Sequence, residues 1–219
     1  MDRSTVAVAG RRSDAAAIEF WFEFGSNYSY LSVMRIETEA RKHGVRIVWK
    51  PFLLGPILQS LGAHPFSQNE KGTYVQKDMT RLCRKYGLAP WVKPSVFPRL
   101  SVLPLKIVLS AAEEHWIPAF CRKVMELNFA KDQDINQAAG IAPILTELGL
   151  APDAILERAQ SEAIKAGLRQ QTETARARGI FGAPTFFAGD EMFWGNDRLD
   201  DALLAAAPSR NSNDRSPHG

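Results

Sequence analysis

Along residues 18–24 the apolar side chains Ile18, Phe20, Phe22 and Phe24 alternate with Glu19, Trp21 and Glu23. A period of two is that of a strand, whose successive side chains point to opposite faces, and here one face is wholly apolar. After Gly25-Ser26-Asn27 the spacing changes. Tyr30, Leu31, Met34 and Thr38 recur at helical intervals, and His43-Gly44 supplies a stop. Residues 45–49 (Val-Arg-Ile-Val-Trp) read as a second strand. The chain therefore opens as β-α-β, with a crossover long enough for parallel pairing.

Across residues 56–178 the pattern is helical. Val75, Met79, Leu82, Cys83 and Tyr86 form one apolar stripe ending at Gly87. Leu105, Val108, Leu109, Ala112 and Trp116 form another, with Pro104 expected at its first helical position, and Pro118 opens a third helix. Asn136, Pro152 and Asp153 mark further starts, Gly149 and Gly179 mark ends, and residues 161–178 read as a long helix of alternating charge. Pro90, Pro94 and Pro98 remove donors at a spacing that bars a continuous helix, so that stretch is a loop. Strand character returns at residues 184–188, turns at Gly189-Asp190, and continues over residues 191–194 before a closing helix over 197–207.

The order is thus β-α-β, a block of helices, then β-β-α. Neither half can cover its apolar strand face alone, so the two are expected to share one central sheet holding both Phe22 and Phe186. The corresponding division is residues 18–55 with 179–207 as one unit and 56–178 as a helical insertion. Residues 1–17 form an N-terminal extension and 208–219 a tail, both expected to be disordered.

Composition narrows the function classes. The 219 residues are 45% hydrophobic and 23% charged, ordinary for a globular chain long enough to bury a core. The net charge of +3 is mild, and Lys and Arg are interspersed with Asp and Glu, so no nucleic-acid footprint is visible. No apolar run approaches the roughly 18 residues of a membrane span. Arg11-Arg12 has no apolar segment behind it, which makes a poor export signal and leaves a cytoplasmic chain as the simplest reading. The two cysteines, Cys83 and Cys121, form no CxxC and are expected in the core. His43, His64, His115 and His218 form no metal-binding pair, and neither a G-x-S-x-G motif nor a glycine-rich phosphate loop occurs.

Three places could carry chemistry. Ser26 sits where a strand gives way to a helix, where unsatisfied N–H groups and the helix dipole favour an anion. Its hydroxyl is either an ordinary N-cap or a donor to an anionic group held there. Gly182-Ala183-Pro184-Thr185 precedes a strand, a place where proline starts an edge and where a cis bond occurs at the low rate of X-Pro bonds generally. Trp194-Gly195-Asn196-Asp197-Arg198 lies between a strand and the last helix, and as a turn with an Asn or Asp cap it would need no function.

These motifs together, over residues 18–207, resemble the 2-hydroxychromene-2-carboxylate isomerases, relatives of kappa-class glutathione transferases and DsbA-like proteins. The family signature Phe-x-Phe-x-Ser-x-Tyr-Ser-Tyr-Leu reads here as Phe22-Glu-Phe-Gly-Ser26-Asn-Tyr-Ser-Tyr-Leu31. The other two read as Phe181-Gly-Ala-Pro-Thr185 and Gly189-Asp-Glu-Met-Phe-Trp-Gly-Asn-Asp-Arg-Leu199. The resemblance implies an α/β thioredoxin-like fold with a large helical insertion between its halves, and glutathione as cofactor. It implies an enzyme that interconverts 2-hydroxychromene-2-carboxylate with trans-o-hydroxybenzylidenepyruvate-type intermediates of aromatic catabolism, whose partner besides glutathione is a small aromatic carboxylate.

By the same resemblance Ser26 contacts the glutathione sulfur in the slot where redox relatives carry the first cysteine of CxxC. Ala183 pairs through its backbone with the cysteinyl unit before a cis Pro184. Asn196 and Asp197, in the Trp194-Gly195 segment, hold the γ-glutamyl end, and Lys71 reaches toward the ligand from the helical insert. A homodimer is one oligomeric option among relatives, although no interface is legible here. The chain departs from the family pattern at Asn27, usually proline, at Ala63, commonly asparagine, and at Arg99-Leu100, where Gln-Asn is frequent. A kappa-like transferase or peroxidase shares the same site, and a thioredoxin-fold binding module without catalysis is the reading from a different class. With serine at both ends of Ser26-Asn-Tyr-Ser29, disulfide reductase or oxidase activity is expected to be absent.

Overall fold

Strand β1 (Ala17–Phe22) is the centre of the molecule because both halves of the chain pair with it. The computed structural model describes residues 16–63 and 70–208. The elements that follow β1 are α1 (Asn27–His43), β2 (Arg46–Pro51), α2 (Leu54–Ser60), α3 (Glu70–Lys85), α4 (Val102–Ser110), α5 (Ile117–Phe129), α6 (Ala138–Glu147), α7 (Pro152–Gln160) and α8 (Glu162–Ala177). The chain then returns as β3 (Thr185–Ala188) and β4 (Glu191–Trp194), and a short 3-10 turn (Asn196–Arg198) leads into α9 (Leu199–Ala206).

The sheet runs β2-β1-β3-β4. β1 is parallel to β2, and antiparallel to β3 with Phe20 opposite Phe186. The expected single sheet is therefore present. Its apolar face is an aromatic stack: Phe20 lies 4.9 Å from Phe22, 5.2 Å from Phe186 and 5.3 Å from Trp49, centroid to centroid. Leu31 and Ile36 of α1 and Leu199, Ala202 and Leu203 of α9 belong to the same buried cluster.

The alternation along β1 is not an apolar-in, polar-out pattern, however. Trp21, on the same side as Glu19, is 2% exposed and packs with Phe52, Ile57, Ala175, Ile180 and Phe187. Ile57 comes from α2 and Ala175 from α8, so helices cover the second face too. With helices over both sides of β1, Trp21 has no solvent face to occupy, whereas the edge strand β4 stays largely exposed.

Other boundaries differ for local reasons. β1 stops at Phe22 rather than Phe24, because the next backbone groups leave the ladder: the Ser26 N–H donates to Glu23 O (3.2 Å), and Asn128 Nδ2 donates to Phe24 O (3.0 Å). α4 begins at Val102, which puts Pro104 third rather than first in the helix. Its missing N–H is no loss there, since first-turn donors have no helical partner. Asn136 does not open its own helix. Its Oδ1 accepts from Leu103 N (3.0 Å) and so satisfies an orphan donor of α4, while α6 starts two residues later. The residues at the long turns agree with the reading of the chain: Gly44, Gly149 and Gly179 have φ of 65°, 74° and 77°, and end α1, α6 and α8.

Arg11-Arg12, His64, His218 and most of the terminal segments lie outside the described residues. Among the described residues no helix is long and apolar enough to cross a membrane.

Candidate active site

Ser26 precedes the first residue of α1 in extended conformation (φ −88°, ψ 120°), and its Oγ accepts from the Ser29 N–H at 3.2 Å. That is an N-cap. The same hydroxyl does a second thing that no cap requires: it donates to the carbonyl of Ala183, 157 residues away, at 2.8 Å. Ala183 precedes Pro184 through a cis peptide bond. One hydroxyl thus ties the N-terminus of α1 to the loop before β3. Beside it, Asn27 Oδ1 and Ser29 Oγ are buried and have no hydrogen-bond partner. A buried polar atom without a partner carries its full desolvation penalty, so this helix end retains polar capacity that the folded chain does not use.

Behind Ser26 the insert grips the strap from Glu23 to Gly25. The Glu23 carboxylate accepts from the Gly25 N–H (2.9 Å) and from the Ser101 hydroxyl at the start of α4. Asn128 of α5 holds the Phe24 carbonyl and accepts from Arg99 Nε (3.1 Å), whose guanidinium also pairs with Asp132. Burial pushes the Glu23 carboxyl up to about 7, against the opposing pull of its two donors. Hydrogen bonds from Ser95 and the charge of Arg99 hold Asp132 below its ordinary range.

In front of this junction is an open pocket of about 600 Å³. α3 contributes Tyr74, Asp78, Leu82 and Lys85, the Pro184 loop contributes Ala183 and Pro184, and the end of β4 and the turn after it contribute Trp194, Gly195, Asn196, Asp197 and Arg198. Tyr28 lines it from α1 and donates to Asp78 Oδ2 at 3.0 Å. Two carboxylates and two cations in one pocket suit a ligand that carries both charges.

The residues singled out in the chain fall as follows. Ala183, Pro184, Trp194, Gly195, Asn196 and Asp197 all line this pocket, and Ser26 reaches it through Ala183. Asn196 is 4% exposed and its side chain is committed to the protein: Oδ1 accepts from Ser32 (3.2 Å) and Arg35 (3.2 Å), and Nδ2 donates to Tyr86 (3.4 Å). Asp197 is exposed. Trp194, half-exposed, stacks edge-on with Phe181 at 4.8 Å, and its indole lies so close to Gly182 that a Cβ there would overlap it. Lys71 lies on α3 three residues before Tyr74, but its side chain is outside the described residues. Ala63 is exposed just beyond α2, Leu100 is 68% exposed, and Arg99 faces Asn128 rather than the pocket.

Tyr28, Tyr74, Asp78 and Lys85 were given no role in the chain, and Arg198 was named only as part of the Trp194–Arg198 segment. The spacing of Tyr74, Asp78 and Lys85 at helical intervals is visible on α3, but a polar helical face reads as a solvated one until a partner surface is known to oppose it.

Gly195 is held at φ 111°, ψ 152°, and a Cβ there would collide with Asp197 Oδ1. Gly195→Ala is expected to lose about 1–3 kcal/mol of stability from backbone strain and to displace Asp197. Denaturant unfolding checks the first, and ligand titration at a folded temperature the second.

Both cysteines are free and buried, Cys83 in α3 and Cys121 in α5, and burial pushes both thiols up, Cys121 most strongly. Neither has the lowered pKa of a reactive thiolate.

A sheet with a helix N-terminus facing a cis-proline loop, interrupted by a set of helices, is the thioredoxin-like architecture of DsbA-type proteins. The chain belongs to that family: a DSBA-like thioredoxin domain matches residues 17–206. Among curated proteins it is 29% identical over 188 residues to a 2-hydroxychromene-2-carboxylate isomerase of Sphingobium xenophagum, covering 84% of this chain and 94% of the relative. It is 23% identical over 202 residues to glutathione S-transferase kappa 1 of Rattus norvegicus, covering 86% and 88%. Among solved structures, a 2-hydroxychromene-2-carboxylate isomerase superposes with a TM-score of 0.76 at 27% identity, covering 86% of this chain and 93% of the other.

Proposed function

We propose that the protein is a glutathione-dependent isomerase of the 2-hydroxychromene-2-carboxylate type. The observation that carries the reading is the Ser26 hydroxyl, placed at a helix N-terminus and bonded to the carbonyl before cis Pro184, at the edge of a pocket lined by charges of both signs. The names of the relatives supply the reaction class, and the pocket's donor set supplies the fit to a tripeptide with an amino-acid end.

Asp78 and Asp197 would take the ammonium of the γ-glutamyl end, and Lys85 and Arg198 its carboxylate. Ala183 would offer its backbone to the cysteinyl unit. Asn196 has a different part in this arrangement. Its side chain braces the turn through Arg35 and Tyr86 and so aims Asp197, Trp194 and Gly195 rather than reaching the ligand itself.

The chemistry supplied by bound glutathione is reversible thiol addition to a conjugated double bond, which permits rotation before elimination. A thiol of this type has an ordinary pKa near 8.5, so it must be favoured as thiolate to work near neutrality. Ser26 does this by exchanging partners: once the Ala183 carbonyl accepts from another donor, the hydroxyl is free to turn from it and donate to an anion. The α1 N-terminus adds its dipole. Trp194 lines the pocket with Phe181 packed against it, and a flat apolar substrate would lie on this indole.

The direct test is turnover of 2-hydroxychromene-2-carboxylate with and without glutathione. Glutathione-dependent turnover supports the reading, and glutathione binding without it, joined to conjugation of general electrophiles, would assign a kappa-like transferase. Absence of glutathione binding by calorimetry would leave a non-catalytic module. Within the reading, Asp78→Asn and Asp197→Asn are each expected to weaken glutathione binding about tenfold or more, the effect of losing one bond between charged groups. Calorimetry reads this without reference to turnover.

A further inference from the structure

The Glu23 carboxylate and its partners lie outside the pocket, yet they define the three residues that lead into Ser26. Each step of that strap is held by the helical insert or by Glu23 itself. The side-chain oxygens of Glu23 take the Gly25 N–H (2.9 Å) and the Ser101 hydroxyl, and its carbonyl takes the Ser26 N–H (3.2 Å). Asn128 takes the Phe24 carbonyl (3.0 Å). The Arg99 carbonyl abuts Gly25 so closely, with Glu23 on its other side, that a Cβ on Gly25 would meet Glu23 Oε2 at 2.8 Å and Arg99 O at 3.0 Å. The backbone entering Ser26 therefore has little room to adjust.

We propose that Glu23 is a positioning residue for Ser26, and that its carboxylate form, braced on Ser101, fixes where the Ser26 hydroxyl stands. This rests on the reading of Ser26 as the working hydroxyl. The reason is the difference between acceptors. A carboxylate accepts both bonds as charge-assisted ones, which are shorter and stronger. The neutral acid accepts from Gly25 more weakly and must reverse the bond to Ser101. The strap is thus tighter when Glu23 is ionised.

The groups around the carboxylate leave that change to Glu23 itself. From the strap it faces the Gly25 amide and from the start of α4 the Ser101 hydroxyl, both neutral. From α5 the strap meets the neutral Asn128. The nearby cation Arg99 is turned to Asn128 and Asp132. Burial, set against those two donors, brings the transition to about pH 7, within the working range of an enzyme of this kind.

The test uses the full chain with Glu23→Gln and Ser101→Ala. Glutamine keeps the shape and mimics the neutral acid. By NMR, the Gly25 and Ser26 amide resonances of the wild type are expected to titrate with a midpoint near 7, to lose that titration in Glu23→Gln, and to titrate at higher pH in Ser101→Ala. This reading needs no ligand. In turnover, Glu23→Gln is expected to match the wild type below pH 6 and to fall about fivefold in kcat above pH 8, with KM for glutathione little changed; that is the effect of losing about 1 kcal/mol of charge assistance. Amides that do not titrate between pH 5 and 9, or that titrate equally in Glu23→Gln, overturn the proposal. So does a wild-type to Glu23→Gln ratio of kcat that is independent of pH. Amides that titrate as expected in a protein showing no glutathione-dependent turnover uphold the brace and overturn the isomerase reading instead.

Discussion

Ser26→Ala will lower turnover about 10- to 150-fold and raise the pKa of bound glutathione, while glutathione still binds. Two roles of the hydroxyl make separable contributions. As an N-cap accepting from Ser29 N, it is worth about 0.5–2 kcal/mol of folding stability. As a donor to a thiolate, the role proposed for it, it would be worth about 1.5–3 kcal/mol in the step that uses the charge, which is the 10- to 150-fold range. The bond to Ala183 sharpens the expectation. The hydroxyl proton is engaged by the Ala183 carbonyl, so removing the hydroxyl also loosens the loop before Pro184.

Measurements on Ser26→Ala are therefore made where the variant is fully folded by circular dichroism. Thiolate absorbance near 240 nm, a general property of thiolates, then gives the bound pKa, and calorimetry gives affinity. A folded variant with unchanged thiolate pKa and unchanged turnover would leave Ser26 as a helix cap and nothing more. A loss of turnover with an unmoved thiolate pKa would place its effect on substrate rather than on the thiol.

What could be read in the chain follows from the range of the interactions that determine it. The alternation of Phe20 and Phe22 and the helical run after Ser26 are local, and so are the turns at Gly44 and Gly189; each is present in the structure. The union of the two halves in one sheet was also legible, because an uncovered apolar strand face implies a partner. The burial of Trp21 was not. Trp21 alternates with phenylalanines and shares its side with Glu19, and the return of α2 and α8 beneath the sheet makes that side interior.

The site divides in the same way. Ser26, Ala183 and the Trp194–Asp197 segment lie at strand and helix ends, where motif and position coincide. Asp78 and Lys85 line the pocket because α3 lies opposite the cis-proline loop, a tertiary fact with no local trace. Asn196 shows the converse. It belongs to a recognisable motif, yet the fold uses its amide internally, between Ser32, Arg35 and Tyr86. Asn196 lines the pocket with the rest of the motif, and its internal bonds are a tertiary fact that the motif alone does not display.

Glu23→Gln is expected to make the protein more stable above pH 7 and no more stable at pH 4, the opposite direction from its effect on turnover. An acid whose folded pKa is raised from 4.5 to about 7 binds its proton more tightly in the native than in the unfolded state. Its stabilising contribution is therefore complete below pH 4.5 and is lost as pH rises through 7. Glutamine does not titrate, so the variant escapes that loss while it keeps an acceptor for Gly25 and a donor for Ser101. At about 1.4 kcal/mol per pH unit the gain at pH 8.5 is at most about 3.5 kcal/mol. Urea unfolding at pH 4 and pH 8.5 measures it, with the midpoint shifting in the variant's favour only at the higher pH. Equal stability differences at the two pH values would mean that Glu23 is solvated and ionised in the ordinary carboxylate range. A variant that is slower yet more stable above pH 7 would show that this carboxylate acts on function at the expense of the fold, since a purely structural residue loses both together.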